Sequence, residues 1–245
     1  MRIFGSVIVT SALVAACLSC FGGSDIVKMG TEGAYPPYNF INDKGEVDRF
    51  ERELGDELCR RAGLECVWVT NEWDGIIPNL VAGEYDTIMA GMSITEERDE
   101  VIDLTQPYFP PLPSVYVALS GAGDEAVNGR VAAQLATVHA DYLSESGATL
   151  LEYDLAEELF EAVLSGEVDA ALVDREFARE GIAENGDRLT VVGPDVILDS
   201  GIGIGVREDA GELKQELDKA IVAMKDDGSL NDLIRKWFDA NAETF

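Results

Sequence analysis

Arg98 and the residues just before it have the chemistry to bind a carboxylate. Arg98 stands five residues after Ser93, which follows an apolar strand predicted over Thr87–Ala90. A guanidinium fork beside a hydroxyl and exposed backbone N–H groups would hold a carboxylate, and a solvated surface arginine is the alternative. Ser93 and Glu96 have the spacing of a capping box, so a helix is expected to begin at Ser93.

Asp174 is the matching candidate for binding an ammonium group. It ends an apolar strand, where a carboxylate is costly unless it meets a cation. A ligand ammonium would supply that cation, and the adjacent Arg175 is the structural alternative. The rings of Tyr35, Tyr38 and Trp73 could enclose a ligand side chain, through cation–π attraction if it is charged, or pack at a loop edge. A carboxylate binder, an ammonium binder and aromatic walls together describe a site for a free α-amino acid.

A repeated pattern predicts that these residues share one cleft. Residues 80–91 and 163–174 each read as a helix end, a Gly-Glu turn, an Asp two positions later and a short apolar strand. Strands that are apolar throughout are typical of parallel sheets covered on both faces. Ligands of open α/β sheets bind beyond the carboxyl ends of the strands, here Gly91 and Asp174. The repeat therefore predicts two α/β lobes that face one cleft.

The rest of the pattern fits two lobes joined by two crossings, which would form a hinge. Apolar residues recur at helical spacing from Phe50 to Ala62 and from Leu213 to Met224. Asp74 and Ser229 are expected to cap the helices that follow them. The expected divisions are a signal and tether over 1–24, lobe 1 over 25–114, lobe 2 over 115–198 and a return to lobe 1 over 199–245.

Composition limits the class of partner. The 245 residues include 18 Lys and Arg against 47 Asp and Glu, a formal net charge of -29. We expect no nucleic-acid partner and no docking on an anionic membrane, because both require clustered cations. The acidity is ascribed to solubility or a saline habitat, with attraction of cationic ligands as the functional alternative. His139 is the single histidine, which excludes a multi-histidine metal site, and no cofactor is expected.

The N-terminus reads as an export signal. Arg2 precedes an apolar run over residues 3–18 that is too short to span a bilayer comfortably. Small residues stand directly before Cys17, an arrangement that resembles a bacterial lipobox. We therefore expect a periplasmic or other extracytoplasmic protein, lipid-anchored through Cys17, with an ordinary cleaved signal as the alternative.

Cys59 and Cys66 lie at the end of the first predicted helix and in the strand that follows it. A disulfide between those elements is geometrically natural in an exported protein. Two buried free thiols are the alternative.

Five stretches resemble the polar amino-acid solute-binding proteins of ABC transporters. They are TEGAYPPY (31–38), WDGIIP (73–78), YDTIMAGMSITEER (85–98), HADY (139–142) and DDGSLNDLIRKWF (226–238). The resemblance implies the type II periplasmic binding protein fold, in which two α/β lobes close on the ligand. It also implies a receptor without catalysis that delivers an amino acid to a membrane permease and its ATPase. The spacing of Cys59 and Cys66 is similar to the disulfide of the histidine- and lysine/arginine/ornithine-binding members.

The resemblance also implies roles for individual residues. Arg98 would grip the ligand α-carboxylate, with Ser93 and Thr137 hydrogen-bonding near it. Asp174 would bind the α-ammonium, helped by Ser93 and the Gly91 carbonyl. The complete implied set is Glu32, Tyr35, Trp73, Ala90, Gly91, Ser93, Arg98, Thr137 and Asp174, in which Tyr35 and Trp73 wall the side-chain pocket and Glu32 faces a basic or amide side chain.

Two stretches depart from the family pattern. The chain has Ala-Thr-Val at 136–138 where relatives usually show Gly-Thr-Thr, so one hydroxyl is absent near the expected carboxylate. It has Arg-Phe-Glu at 49–51 where relatives often read Gly-Phe-Asp, a change expected to reshape a turn away from the pocket.

The ligand class follows from Glu32 and the aromatic walls, which favour arginine, ornithine, lysine or histidine. Glutamine and an arginine-based opine remain open, and hydrophobic amino acids would leave Glu32 buried without a partner. A second function is an enzyme similar to cyclohexadienyl dehydratase, for which Glu32 is the candidate general acid. We expect the protein to be a monomer.

Overall fold

The first pass of the chain builds most of lobe 1. The computed structural model describes residues 26–245. Seven strands form here: β1 (Ile26–Thr31), β2 (Ala34–Tyr35), β3 (Asn39–Ile41), β4 (Val47–Asp48), β5 (Glu65–Thr70), β6 (Thr87–Ile88) and β7 (Asp103–Leu104). The helices of this pass are α1 (Phe50–Ala62), α2 (Ile76–Val81) and α3 (Glu96–Asp99).

Lobe 2 follows without interruption. Its strands are β8 (Ser114–Leu119), β9 (Arg130–Gln134), β10 (Thr149–Tyr153), β11 (Ala170–Asp174) and β12 (Leu189–Val196). Its helices are α4 (Val138–Glu145), α5 (Ala156–Ser165) and α6 (Arg175–Asn185). The chain then returns to lobe 1 as β13 (Gly205–Val206), α7 (Gly211–Asp226) and α8 (Ser229–Trp237).

The two main sheets share one design. Their strand orders are β5-β1-β6-β13-β7 and β10-β9-β11-β8-β12. β6 and β11, the strands of the sequence repeat, take the third position, each parallel to one neighbour and antiparallel to the other. The sheets are therefore mixed rather than wholly parallel, because the strand that reaches each sheet through a crossing runs opposite to its neighbours. The chain crosses after β7 and after β12; the predicted boundary at 114/115 falls after the first residue of β8.

Helix α1 shows how the lobe 1 core forms. Phe50, Leu54 and Leu58 recur on one helix face and are fully buried. Each such side chain stabilises the fold by about 1.5–3 kcal/mol relative to exposure. The helix ends at Gly63, whose left-handed φ of 71° closes the last turn as predicted.

The predicted disulfide between Cys59 and Cys66 is confirmed. It joins the last turn of α1 to β5, with the two Cα atoms 6.2 Å apart. The alternative of two free thiols is therefore excluded.

Three predicted helix caps are wrong. The Thr95 hydroxyl, not Ser93, accepts the Arg98 N–H at 3.2 Å and caps α3. Asp74 lies inside a 3₁₀ turn that precedes α2, so its side chain caps nothing. Ser229 is the first residue of α8, and the flexible Gly228 occupies the cap position.

Arg49 lies directly before α1, at its N-cap position, and has an unusual backbone conformation. Its φ of 87° and ψ of -163° lie in a region that glycine adopts easily and other residues do not. Its guanidinium lies 3.5 Å from Glu180 Oε1 of lobe 2 and over the ring of Phe40. Arg49 therefore contributes a contact between the lobes at some cost in backbone strain.

No helix within residues 26–245 combines the length and apolar character needed to cross a membrane. The predicted signal and Cys17 lie outside the described residues.

Candidate functional site

One cavity between the lobes collects every predicted ligand-binding residue. It opens where β6 and β11 end, as the repeat predicts. The nine predicted residues on its wall are Glu32, Tyr35, Trp73, Ala90, Gly91, Ser93, Arg98, Thr137 and Asp174. The wall also includes residues that were not predicted: Gln134, Val138, His139, Ala156, Leu159, Leu172 and Val173.

Gly91 shapes the lobe 1 side of this cavity. It follows β6 and turns the chain with a left-handed φ of 62°. A Cβ at this position would stand 3.3 Å from the ring of Tyr35. The backbone therefore approaches the cavity closely only because no side chain is present.

Arg98 points its guanidinium into the cavity from α3. Its Nη1 donates to the Ser93 carbonyl at 3.0 Å, and its Cζ lies 5.4 Å from the Trp73 ring centroid. Within residues 26–245, no carboxylate oxygen lies within salt-bridge distance of this guanidinium. Burial lowers the pKa of Arg98, and nearby carboxylates oppose that change. Its other N–H groups are available to a ligand carboxylate, and that role of Arg98 stays a prediction.

Asp174 faces Arg98 from the other lobe, at the end of β11. Its Oδ2 accepts the Tyr35 hydroxyl at 2.7 Å, and its Oδ1 lies 3.6 Å from His139 Nε2. Burial alone would raise the pKa of Asp174, but the nearby His139 imidazole, the hydrogen bond from Tyr35 and the charge of Arg98 bring it below its usual value. Arg175 pairs with Asp195 instead. Asp174 is thus held as an anion on the cavity wall.

Glu32 is the third ionisable residue of the predicted set on the cavity wall, after Arg98 and Asp174. Its Oε1 accepts from Gln134 Nε2 at 2.6 Å across the cleft. Burial raises the pKa of Glu32 to about 7, with the carboxylates of Glu51 and Glu157 adding to the rise and the Gln134 bond opposing it. Gln134 ends the apolar strand β9, the same pattern that identified Asp174, so the sequence did contain a signal for it.

Aromatic side chains connect the two walls. Trp73 Nε1 donates to the Ala136 carbonyl at 3.0 Å, and the Tyr35 ring stacks on Phe177 at a centroid distance of 4.5 Å. Tyr38 packs in the core, edge-on to Phe109, and is not part of the cavity wall.

The loop at 136–138 forms a tight turn directly before α4. Ala136 adopts a left-handed φ of 54°, a conformation that favours glycine. The Thr137 hydroxyl accepts from the Ala140 N–H at 3.3 Å, which caps α4, and donates to the Gln134 carbonyl at 2.6 Å. Its single proton is thus donated to the Gln134 carbonyl, and a hydrogen bond from it to a ligand stays a prediction.

Comparison with known proteins gives close matches in sequence and fold. A periplasmic His/Glu/Gln/Arg/opine family-binding protein from Silicibacter pomeroyi, solved in complex with lysine, is 60% identical, with a TM-score of 0.87 over 89% of this chain and 100% of that chain. The histidine-binding periplasmic protein of Escherichia coli K12 is 30% identical over 227 residues, 87% of each chain. The octopine-binding periplasmic protein of Rhizobium meliloti is 32% identical over 267 residues, 86% of this chain and 90% of that one.

The similarity to the lysine complex, together with the two matching sheets, confirms the type II periplasmic binding protein fold. It also agrees with the extracytoplasmic location expected from the export signal. The family model for bacterial extracellular solute-binding proteins, family 3, matches residues 27–240. The chain therefore belongs to this family of solute-binding proteins.

Proposed function

We propose that the protein captures an L-amino acid with a cationic side chain and delivers it to an ABC permease and its ATPase. The observation that supports this most strongly is the set of charges on the cavity wall. Arg98 contributes one positive charge, and Asp174 and ionised Glu32 contribute two negative charges. A basic amino acid has the complementary set, one carboxylate and two cations.

The α-carboxylate would bind at Arg98. A two-point contact with the guanidinium would be assisted by donors of Ser93 and of the loop around Thr137. Ser93 is almost fully buried, so a carboxylate bound here is removed from water and its interaction with Arg98 is strengthened.

The α-ammonium would bind at Asp174. Tyr35 orients this carboxylate, and Ala90 and Gly91 lie on the facing wall, where their backbone carbonyls would accept from the ammonium. An ammonium has three donors, which matches one carboxylate and backbone carbonyls.

The ligand side chain would extend between Tyr35 and Trp73 toward Glu32. The lysine bound by the Silicibacter pomeroyi protein supports this ligand class. The raised pKa of Glu32 also favours a second candidate, glutamine, because a protonated carboxyl can hydrogen-bond a neutral amide.

Lobe 1 would comprise residues 25–114 and 199–245, and lobe 2 would comprise residues 115–198. The ligand would be released for delivery when the two lobes move apart about the two crossings. We further propose that the protein acts as a monomer, anchored through a lipid on Cys17. Light scattering tests the monomeric state. The intact masses of the wild-type and Cys17→Ser proteins test the lipid anchor. A mass without added lipid in both proteins would exclude the anchor.

An enzymatic function is supported by one observation, the raised pKa of Glu32, which a general acid needs near neutral pH. We nevertheless propose a binding protein without catalysis, because the other charges match a bound amino acid. Incubation with arogenate or prephenate separates the two functions: product that Glu32→Gln abolishes would establish the enzyme.

A thermal-shift panel tests the proposed function. The panel includes arginine, lysine, ornithine, histidine, glutamine, octopine and hydrophobic amino acids. A ligand at 1,000 times its Kd adds about 4 kcal/mol of apparent stability. We expect the melting temperature to rise with the basic amino acids. A rise confined to glutamine would favour the second candidate, and no rise with any polar amino acid would refute both.

A further inference from the structure

Glu51 is a fully buried carboxylate that the proposed site does not itself use. It lies in the first turn of α1 and has no solvent exposure. In the part of the chain that the structure describes, no cation lies within salt-bridge distance of it. Three donors hold it instead: the backbone N–H of Gly91 at 2.7 Å, Asn39 Nδ2 at 2.8 Å and the Tyr108 hydroxyl. Burial raises the pKa of Glu51, and the three donors oppose that rise. A buried carboxyl group without a cation is costly in free energy, which makes Glu51 a candidate for a functional role.

One oxygen of Glu51 fixes the part of the cavity wall where the ligand ammonium is proposed to bind. The Gly91 N–H that it accepts belongs to the peptide between Ala90 and Gly91, whose residues both line the cavity. Gly91 has a left-handed φ of 62°, which glycine adopts without strain. A hydrogen bond from its N–H to Glu51 Oε1 therefore fixes the direction of this peptide and of the Ala90 carbonyl on its other edge.

The other oxygen of Glu51 is connected, through Asn39, to the backbone next to Glu32, where the ligand side chain is proposed to bind. It accepts from Asn39, and the Asn39 Oδ1 in turn accepts the N–H of Gly33 at 2.7 Å. That N–H belongs to the peptide that follows Glu32 directly. A single carboxylate thus connects the backbone at two separate walls of the cavity.

We propose that Glu51 is a positioning residue, which holds the Gly91 peptide and, through Asn39, the Glu32 backbone in the arrangement that a basic amino acid requires. The proposal rests on the proposed function, since it concerns the same cavity. It predicts that Glu51 sets affinity although it does not touch the ligand.

Glu51→Gln tests this proposal, with L-lysine titrations in a calorimeter and the amide NMR signal of Gly91 as readouts. Replacing the carboxyl group by an amide, which is a weaker acceptor and presents an N–H group to Asn39, should move the Gly91 amide proton upfield and weaken lysine binding about tenfold to a hundredfold. Leu217→Ala is the control, since Leu217 is a fully buried core residue of the same lobe. It should lower stability while keeping Kd within about twofold, because it removes core packing and no binding contact.

Glu51→Asp keeps a carboxylate with a shorter reach and serves if the Gln variant does not fold. In the Asp variant, the chemical shift of the Gly91 amide and the Kd for lysine should both differ from the wild-type values. Both differences should be smaller than those of a folded Gln variant. A Gly91 signal that moves while Kd stays at the wild-type value would overturn the positioning role. Failure of the wild-type protein to bind lysine or any other basic amino acid would instead refute the proposed function.

Discussion

The Tyr35 hydroxyl lies 2.7 Å from Asp174 Oδ2 and joins the two lobes at the cavity wall. The residues are 139 positions apart, one after β1 and the other at the end of β11. Burial and the neighbouring Asp174 carboxylate raise the pKa of Tyr35 well above its usual value, so the phenol remains a donor. The carboxylate proposed to bind the ligand ammonium is therefore also a point of contact between the lobes.

Tyr35→Phe should weaken binding of L-lysine by about 1 kcal/mol, because one neutral donor to Asp174 is lost while the ring that stacks on Phe177 stays. Calorimetric titration measures this loss. Tyr142→Phe, at a more exposed tyrosine of lobe 2, is the control and should leave Kd unchanged. Equal affinities in all three proteins would show that the hydroxyl does not orient Asp174.

Arg98→Ala should weaken lysine binding by about 3 kcal/mol or more, because a buried ligand carboxylate would lose its cation. Arg130→Ala removes an arginine of an exposed ion pair with Asp169 and is the matched control. Equilibrium dialysis with labelled lysine separates the variants. Retention of wild-type affinity in Arg98→Ala would mean that the carboxylate binds elsewhere.

Affinity for lysine should depend on pH through Glu32. Its pKa of about 7 in the ligand-free protein means that the carboxyl is mostly ionised at pH 8 and mostly protonated at pH 6. A cationic side chain binds the ionised form, so affinity should fall about tenfold between pH 8 and pH 6, with a proton released on binding at the lower pH.

Glu32→Gln should flatten this pH profile and weaken lysine by about 1.5–3 kcal/mol at pH 8, while glutamine binding changes little. Calorimetry in buffers of different ionisation enthalpy measures the proton release. The same loss for lysine and glutamine would argue against contact between Glu32 and the side chain.

The disulfide should matter for stability and not for binding. The double variant Cys59→Ser, Cys66→Ser should lose about 2.5 kcal/mol of unfolding free energy, because the reduced chain regains loop entropy. Neither cysteine lines the cavity, so Kd for lysine should be unchanged. Urea unfolding followed by calorimetry of the folded protein tests both expectations, and a large change in Kd would contradict the second.

Arg49→Gly should be more stable than Arg49→Ala by about 1 kcal/mol. Both variants lose the ion pair with Glu180, but only glycine relieves the positive φ of 87°. Denaturant unfolding of the two variants gives the difference directly. A more stable alanine variant would show that the backbone is not strained at this position.

The cavity could be predicted from sequence largely because its main residues follow apolar strands. Gly91 follows β6 by three residues and Asp174 ends β11. Gln134 likewise ends the strand β9, although it was not predicted as a site residue. Glu51 and His139 could not be placed, since their importance comes from contacts with distant elements: Glu51 meets Gly91 across 40 positions of sequence.

Local features were less predictable than the arrangement of strands. Ser93 had the spacing of a cap, but pairing of its backbone with Ile202 keeps it in an extended segment. Thr95 therefore begins the helix instead. Tertiary pairing decided the helix boundary, and the short-range spacing did not contain that information.

The most direct test of the proposed function compares L-lysine with L-norleucine, which has a side chain of similar length without the terminal ammonium. Calorimetric titration of the purified protein at pH 8 should give a preference for lysine of about a hundredfold, since norleucine leaves the buried Glu32 carboxylate without a cationic partner. Equal affinity for the two, or binding of neither, would contradict a receptor for basic amino acids.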